Sequence, residues 1–179
     1  DLHSPQKIFL HNDYLYVGDD IQGLKTLRTD LILDVRRPDM FGSQGSTQGW
    51  VHDVVIVKNK YAYIAGDERG LWIIKVSDPE EPEEVPFFDK TGGHAKTIAL
   101  HGDFVYVGYK GENDKHKVQQ FVLSETQNLP DPRTFEIGGE PQGLDVEGEF
   151  LFVAADKKGL CIINISPDST FTGNAPDPI

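Results

Sequence analysis

The fold is decided by residues 54–76, which have the sequence VVIVKNKYAYIAGDERGLWIIKV. Three apolar runs in this stretch are separated by the polar segments KNK and GDERG. Tyr61 and Tyr63 lie two positions apart, which places them on one face of a β-strand. Asn59 and Gly70 suit tight turns because both residue types tolerate positive φ. The stretch therefore predicts three consecutive antiparallel strands joined by short turns.

The same pattern recurs along the chain. Four segments align with one another: residues 7–17 (KIFLHNDYLYV), 54–64, 97–107 (TIALHGDFVYV) and 143–153 (GLDVEGEFLFV). A second turn of the form Asp-x-x-Gly follows three of them, at residues 20–23, 67–70 and 156–159. An outermost fourth strand is expected at residues 31–35, 85–88 and 133–137. Four strands in roughly 45 residues are the repeat unit of a β-propeller blade.

These repeats predict an all-β protein, a β-propeller of four blades that is either a small ring or part of a larger propeller. We expect a single propeller domain over residues 1–179, with blades at approximately 4–50, 51–93, 94–139 and 140–179. No helix is expected, because the apolar positions follow period two and glycine and proline recur at short intervals. Residues 167–179 are too rich in proline and polar residues for a convincing outer strand.

Net charge argues against a nucleic-acid partner, and the lack of a long apolar run argues against membrane insertion. The chain has 17 Lys and Arg against 29 Asp and Glu, a formal net charge of −12, which opposes the phosphate backbone of a nucleic acid. No apolar run approaches the roughly 20 residues needed to cross a bilayer, so membrane insertion is not expected.

The single cysteine, Cys161, lies in the run GLCII and is expected to be a buried thiol.

Two segments depart from the repeat, and repeat copies differ most where a chain makes specific contacts. Residues 36–50 form a long connection into the second repeat, and residues 109–116 replace the four-residue turn of the other copies. The alternative interpretation of both is a tolerated surface insertion. The expected binding residues are the apolar, aromatic and basic ones of these segments: Met40, Phe41, Trp50, Tyr109, Lys110 and His116.

Histidines suggest a separate metal hypothesis. His3, His52 and His94 each fall just before the first strand of a repeat, where neighbouring blades bring equivalent positions close together. Three imidazoles that converge there would suit zinc or copper. Their distances from the strands differ from one repeat to the next, so convergence is not required. No cofactor is predicted, and a divalent metal at these histidines is the alternative.

Residues 61–65 (YAYIA) and 70–82 (GLWIIKVSDPEEP) closely resemble the LVIVD repeat family. That family pairs a Tyr-x-Tyr-Val-Ala strand with a Gly-Leu-x-Ile-x-Asp-Val-Ser-x-Pro segment. The resemblance implies a propeller-type repeat protein that is secreted or attached to the cell surface and serves as a binding or scaffold module. It carries over no catalytic residues. Lys75 and Asn164 stand where the family favours Asp, and the third copy lacks the Gly-Leu step.

The leading functional hypothesis is a non-enzymatic binding or scaffold module of a secreted or cell-surface protein. Its partner would be a protein or a glycan held by the propeller loops, or neighbouring copies of the chain. One alternative is a propeller-type hydrolase or metal-dependent enzyme with its site at the mouth of the central channel. A second alternative is a structural subunit of an extracellular assembly. No motif selects a reaction, so an enzyme is the less favoured hypothesis.

Overall fold

A computed structural model describes residues 4–19, 23–29, 40–43, 50–78, 81–85, 93–111, 113, 115–123 and 131–167, with the backbone alone for 40–43. The strands form four antiparallel sheets, each in sequential order. The first sheet contains β1 (Pro5–His11), β2 (Tyr14–Asp19), β3 (Gly23–Arg28) and β4 (Met40–Ser43). The second contains β5 (Asp53–Val57), β6 (Tyr61–Ala65), β7 (Leu71–Lys75) and β8 (Glu83–Glu84). The third contains β9 (His94–His101), β10 (Phe104–Lys110), β11 (His116–Val122) and β12 (Arg133–Ile137). The fourth contains β13 (Gly143–Glu147), β14 (Phe150–Ala154) and β15 (Leu160–Asn164).

The turn between the first two strands contains a left-handed residue in every sheet. A left-handed residue occupies the equivalent position of all four turns: Asn12 (φ 52°), Asn59 (φ 54°), Gly102 (φ 57°) and Gly148 (φ 57°). Asn and Gly are the residues that adopt this conformation most readily. The all-β prediction and its first hairpins are therefore confirmed.

No helix was expected, but the turn between the second and third strands of one sheet is a short helix. In the second sheet, Gly70 (φ 68°) donates its backbone N–H to the carbonyl oxygen of Asp67 at 2.8 Å. In the fourth sheet the equivalent residues form one turn of 3-10 helix, Asp156–Lys158, which ends at Gly159. The tighter hydrogen bonding of the 3-10 helix is common in such short connectors.

The outermost strands were predicted unevenly. The expected strand at residues 133–137 is β12, whereas the outer strand of the second sheet is Glu83–Glu84, before the expected residues 85–88. Of those residues, only Val85 is among the described ones, and residues 31–35 lie outside them. The outer strand of the first sheet is instead Met40–Ser43, within what was expected to be a long connection. The strand Glu83–Glu84 consists of two exposed acidic residues, so no apolar alternation marks it in the sequence.

The chain divides into two compact units, residues 1–90 and 91–179, and each unit contains two sheets. In the first unit, Tyr16 and Leu24 of the first sheet pack against apolar side chains of the second, including Ile64 and Ile74. In the second unit, buried apolar side chains of the third and fourth sheets form one shared core. The prediction of a single domain over residues 1–179 stays a prediction.

Cys161 belongs to the core of the second unit, as expected, and is only 1% exposed. Burial raises the pKa of its thiol above the ordinary value. The same core contains Leu151 and Val153 on β14 and Phe135 on β12. The thiol thus serves as a small apolar side chain between two sheets.

Candidate binding cleft of the third and fourth repeats

The connection between β10 and β11 differs from its counterparts in length and in charge. In the aligned repeats, Lys110 occupies the position that holds Asp20, Asp67 and Asp156 in the other copies. The residues after it, 111–115, lead into β11 at His116. The third repeat thus carries a cation where the other three carry a carboxylate. Glu112 and Asp114 of this connection lie outside the described residues.

A cleft of about 740 Å³ opens beside this connection in the second unit. Its described lining consists of glycines and of polar or charged side chains: His94, Lys110, Gly111, Asn113, His116, Gly138, Gly139, Glu140, Asp156, Lys157 and Lys158. Apart from the imidazole rings of His94 and His116, these described residues have no aromatic ring, and none of them is Ala, Val, Leu, Ile, Met or Pro. The cleft therefore differs from a typical small-molecule pocket, whose walls are predominantly apolar.

Antiparallel pairing explains why these residues meet. His94 begins β9 and pairs in register with Lys110 at the end of β10. His116 begins β11 and pairs with Ile137 at the end of β12. The starts of β9 and β11 and the ends of β10 and β12 therefore lie side by side, at one end of the strands of the third sheet.

Glycines allow the backbone segments around the cleft to come close together. A Cβ atom on Gly111 would collide with the carbonyl oxygen of Lys115, and one on Gly139 would collide with that of Ala155. The methylene groups of Lys158 lie over Gly138, with Cγ and Cε each 3.6 Å from where a Cβ would stand. Larger residues at Gly111 and Gly139 would push these segments apart, so the shape of the cleft depends on both glycines.

Lysine ammonium groups outnumber carboxylates among the described lining residues. Lys110 extends towards the fourth repeat, where its Nζ atom lies 3.0 Å from Oε2 of Glu140. The turn of the fourth repeat adds Asp156, Lys157 and Lys158. The described walls thus hold three ammonium groups and two carboxylates, although the whole chain has a net charge of −12.

The structure places three predicted site residues at this cleft. Lys110 and His116, expected to bind a partner, line it together with His94, which was expected to bind metal. His116 is buried, at 7% exposure, and His94 is half-buried. Tyr109 is fully buried within β10, and the Lys117 ammonium lies 5.3 Å from its ring centroid. Its ring therefore packs inside the protein instead of projecting from a loop.

The other predicted residues belong to the first unit. Trp50 is 56% exposed, and its ring meets the ring of His52 edge-on at a centroid distance of 6.3 Å. Nε2 of His52 lies 3.3 Å from Oδ2 of Asp67. Met40 and Phe41 are in β4, where their backbone pairs with Leu27 and Thr26 of β3. Nothing is described of their side chains.

The metal hypothesis gains no support from the described part of the chain. No group of three or more His, Cys, Asp or Glu side chains is arranged there to hold a metal ion. His3 lies outside the described residues, and His52 and His94 belong to different compact units. A metal at these three histidines stays a prediction.

The sequence interpretation missed the fourth-repeat wall of the cleft. Lys157 and Lys158 belong to a predicted turn, and Glu140 is not among the predicted site residues. A usable signal was present, since Lys110 reverses the charge of the repeat position and the pair Gly138-Gly139 precedes Glu140. Nothing in a linear sequence shows that these two segments face one another.

Comparison with known proteins supports the repeat assignment. The LVIVD repeat model matches residues 48–89, 92–113 and 138–172, which together make up more than half of the chain. No curated protein matches the chain. Among the described residues, no helix is long and apolar enough to cross a membrane.

Several solved structures share the fold at low sequence identity. The computationally designed Ika4 protein is 10% identical, with a TM-score of 0.67 over 93% of this chain and 94% of that one. The extracellular domain of BT4673 from B. thetaiotaomicron is 17% identical, with a TM-score of 0.60 over 89% of this chain and 20% of that one. Apo AztD from Citrobacter koseri is 12% identical, with a TM-score of 0.53 over 93% of this chain and 45% of that one. The chain thus spans about a fifth of the BT4673 domain, and these likenesses concern the fold alone.

Proposed function

Because this chain belongs to the LVIVD repeat family and folds into four propeller blades, we propose that it is a non-enzymatic binding module of a secreted or cell-surface protein. It holds a protein or glycan partner through its loops. The observation that carries this proposal is the polar cleft beside residues 111–115, where the third repeat departs from the other copies in both length and charge.

The proposal is supported by the different roles of shared and variable positions in a repeat protein. Positions that are apolar or aromatic in every copy, such as those of Tyr106 and Leu151, are buried in the core and maintain the scaffold. Side chains that differ between copies are free of this packing role and can serve recognition. The cleft collects such residues from two neighbouring repeats, and close backbone contacts at Gly111 and Gly139 shape its walls. A preformed site of this kind lowers the entropic cost of binding.

The location of the protein is part of the proposal. One of the solved structures with the same fold is the extracellular domain of BT4673, and the family resemblance also implies a secreted or surface protein. Placement outside the cell would give the cleft access to extracellular proteins and glycans.

A loop exchange tests the proposed function. Residues 110–115 are replaced by the turn DERG of the second repeat, and the control exchanges residues 67–70 for the turn DKKG of the fourth repeat. Both proteins are compared with the intact chain on a glycan array and in affinity capture from culture medium. We expect the first exchange to abolish partner binding and the control to retain it. Full retention of every partner after the first exchange would contradict the proposal.

A further inference from the structure

The charge pattern of the cleft selects among the classes of partner. At the repeat position where the other copies carry Asp, the third copy carries Lys110, and the fourth repeat brings Lys157 and Lys158 to the same cleft. At physiological ionic strength the Debye length is about 8 Å, so nearby charges outweigh the distant ones that make the whole chain acidic. The described walls therefore favour an anionic group on the ligand.

The cleft has room for a ligand much larger than a single small anion. Its volume of about 740 Å³ is many times the roughly 30 Å³ that one water molecule occupies in the liquid. Glu140 and Asp156 would also repel an isolated phosphate or sulfate held close to them. A ligand that fits must combine anionic groups with neutral polar groups.

Carboxylates beside ammonium groups suit a ligand rich in hydroxyl groups. Glu140 and Asp156 can accept hydrogen bonds from hydroxyls, while Asn113 can both donate and accept. An ammonium group has three donors, so Lys110 keeps donors beyond the one directed at Glu140. A peptide partner normally inserts apolar or aromatic anchors into a pocket, and none of the described lining residues has an aliphatic hydrocarbon, phenyl or indole side chain to pack against them.

From this chemistry we infer that the cleft binds an acidic polysaccharide that contains uronic acids. The sugar carboxylates lie against Lys157, Lys158 and Lys110, and the ring hydroxyls bond to Glu140 and Asp156. This inference rests on the proposed function, because it names the ligand class of the same binding site. It assigns the two fourth-repeat lysines as recognition residues.

The test measures binding of polygalacturonate to the full chain by affinity electrophoresis and isothermal titration calorimetry. Dextran serves as the neutral polysaccharide, dextran sulfate as a sulfated polyanion and poly-glutamate as an acidic peptide. The test variant combines Lys157→Gln and Lys158→Gln. Its matched control combines Lys58→Gln and Lys60→Gln, which removes the same charge from a turn of the first unit.

We expect the intact chain to bind polygalacturonate and not to bind dextran. The Lys157→Gln/Lys158→Gln variant should lose about tenfold or more in affinity, because each lost charged hydrogen bond weakens binding appreciably. The Lys58→Gln/Lys60→Gln variant should bind as the intact chain does. Circular dichroism of all proteins shows whether the fold is retained.

The remaining outcomes separate this inference from the proposed function. Equal binding of dextran sulfate or poly-glutamate would overturn it by showing an indiscriminate polyanion site. Equal affinity of the two double variants would overturn it as well. If polygalacturonate fails to bind while the loop exchange still abolishes partner capture, the ligand class is wrong and the proposed function stands. If both tests are negative, both proposals fail.

Discussion

Gly108 on β10 lies against Pro141, which precedes β13 in the next sheet. A Cβ atom on Gly108 would stand 2.8 Å from Cβ of Pro141, closer than side-chain atoms can approach. The first unit repeats this arrangement, because a Cβ on Gly18 would stand 2.5 Å from Cγ1 of Val51. In both units, a glycine on the second strand of one sheet makes room for the residue that leads into the next sheet.

Substitution of this glycine tests the contact. Gly108→Ala should lower the free energy of unfolding by about 1–3 kcal/mol, the usual cost of overpacking a dense interior. The matched control is Gly143→Ala, whose Cβ would meet its nearest neighbour at 3.9 Å. The control should be neutral or slightly stabilising, since alanine restricts the unfolded chain. Urea unfolding measures both variants, and equal stabilities would contradict the close approach.

Arg133 provides a second link between the third and fourth sheets. Its Nη1 atom donates to the carbonyl oxygens of Ile165 at 3.0 Å and Ser166 at 3.1 Å, and its guanidinium carbon lies 4.8 Å from the ring centroid of Phe135. Arg133→Ala should cost about 2 kcal/mol of unfolding free energy and speed amide hydrogen exchange in β15. Arg133→Lys should recover only part of this, because an ammonium lacks the planar fork. A lysine variant as stable as the wild type would contradict this role.

Ionisation of Tyr63 should lower the stability of the first unit at alkaline pH. The phenol is 2% exposed, and burial, with a smaller contribution from Tyr61, raises its pKa from 10.0 to about 12. The unfolded chain ionises this group near pH 10, so its contribution is complete below pH 10 and is lost as the pH rises towards 12. The loss amounts to about 3 kcal/mol.

The variant Tyr63→Phe removes the ionisable group. Between pH 8 and pH 11.5, its unfolding free energy should fall less steeply than that of the wild type, as measured by urea titration. The value at pH 8 serves as the internal reference for any packing effect of the lost hydroxyl. Parallel pH profiles for the two proteins would show that another group causes the alkaline loss.

Lys110 and Glu140 allow a charge-exchange experiment at the proposed binding site. Lys110→Asp restores the residue type of the other repeats and should reduce polygalacturonate affinity about tenfold. Stability should change by less than about 1 kcal/mol, because the pair is partly exposed. The double variant Lys110→Asp/Glu140→Lys returns an ammonium to the cleft and should recover part of the affinity. Wild-type binding by Lys110→Asp would remove this residue from the site.

The outer strands show where sequence prediction loses power. The pattern RTFEI at residues 133–137 alternates clearly and was assigned correctly, because Phe135 and Ile137 are buried in the core. Glu83 and Glu84 have no such pattern, and their strand is accompanied by ion pairs to Lys75 at 2.8 Å and Arg69 at 2.6 Å. These pairs join residues that are 8 and 15 positions apart in the chain, so they cannot be recognised in a short sequence window.

The sequence by itself determined the repeat, the inner strands and the first hairpin turns, because strand periodicity and the left-handed conformation of Asn12 and Gly102 are local properties of the chain. It also identified Lys110 and His116 as departures from the repeat. Only the tertiary structure decided that Tyr109 is buried, that Lys110 meets Glu140, and that the lysines of the fourth-repeat turn line the same cleft. These relationships join segments of different repeats, and they depend on how neighbouring sheets pack, which no local pattern specifies.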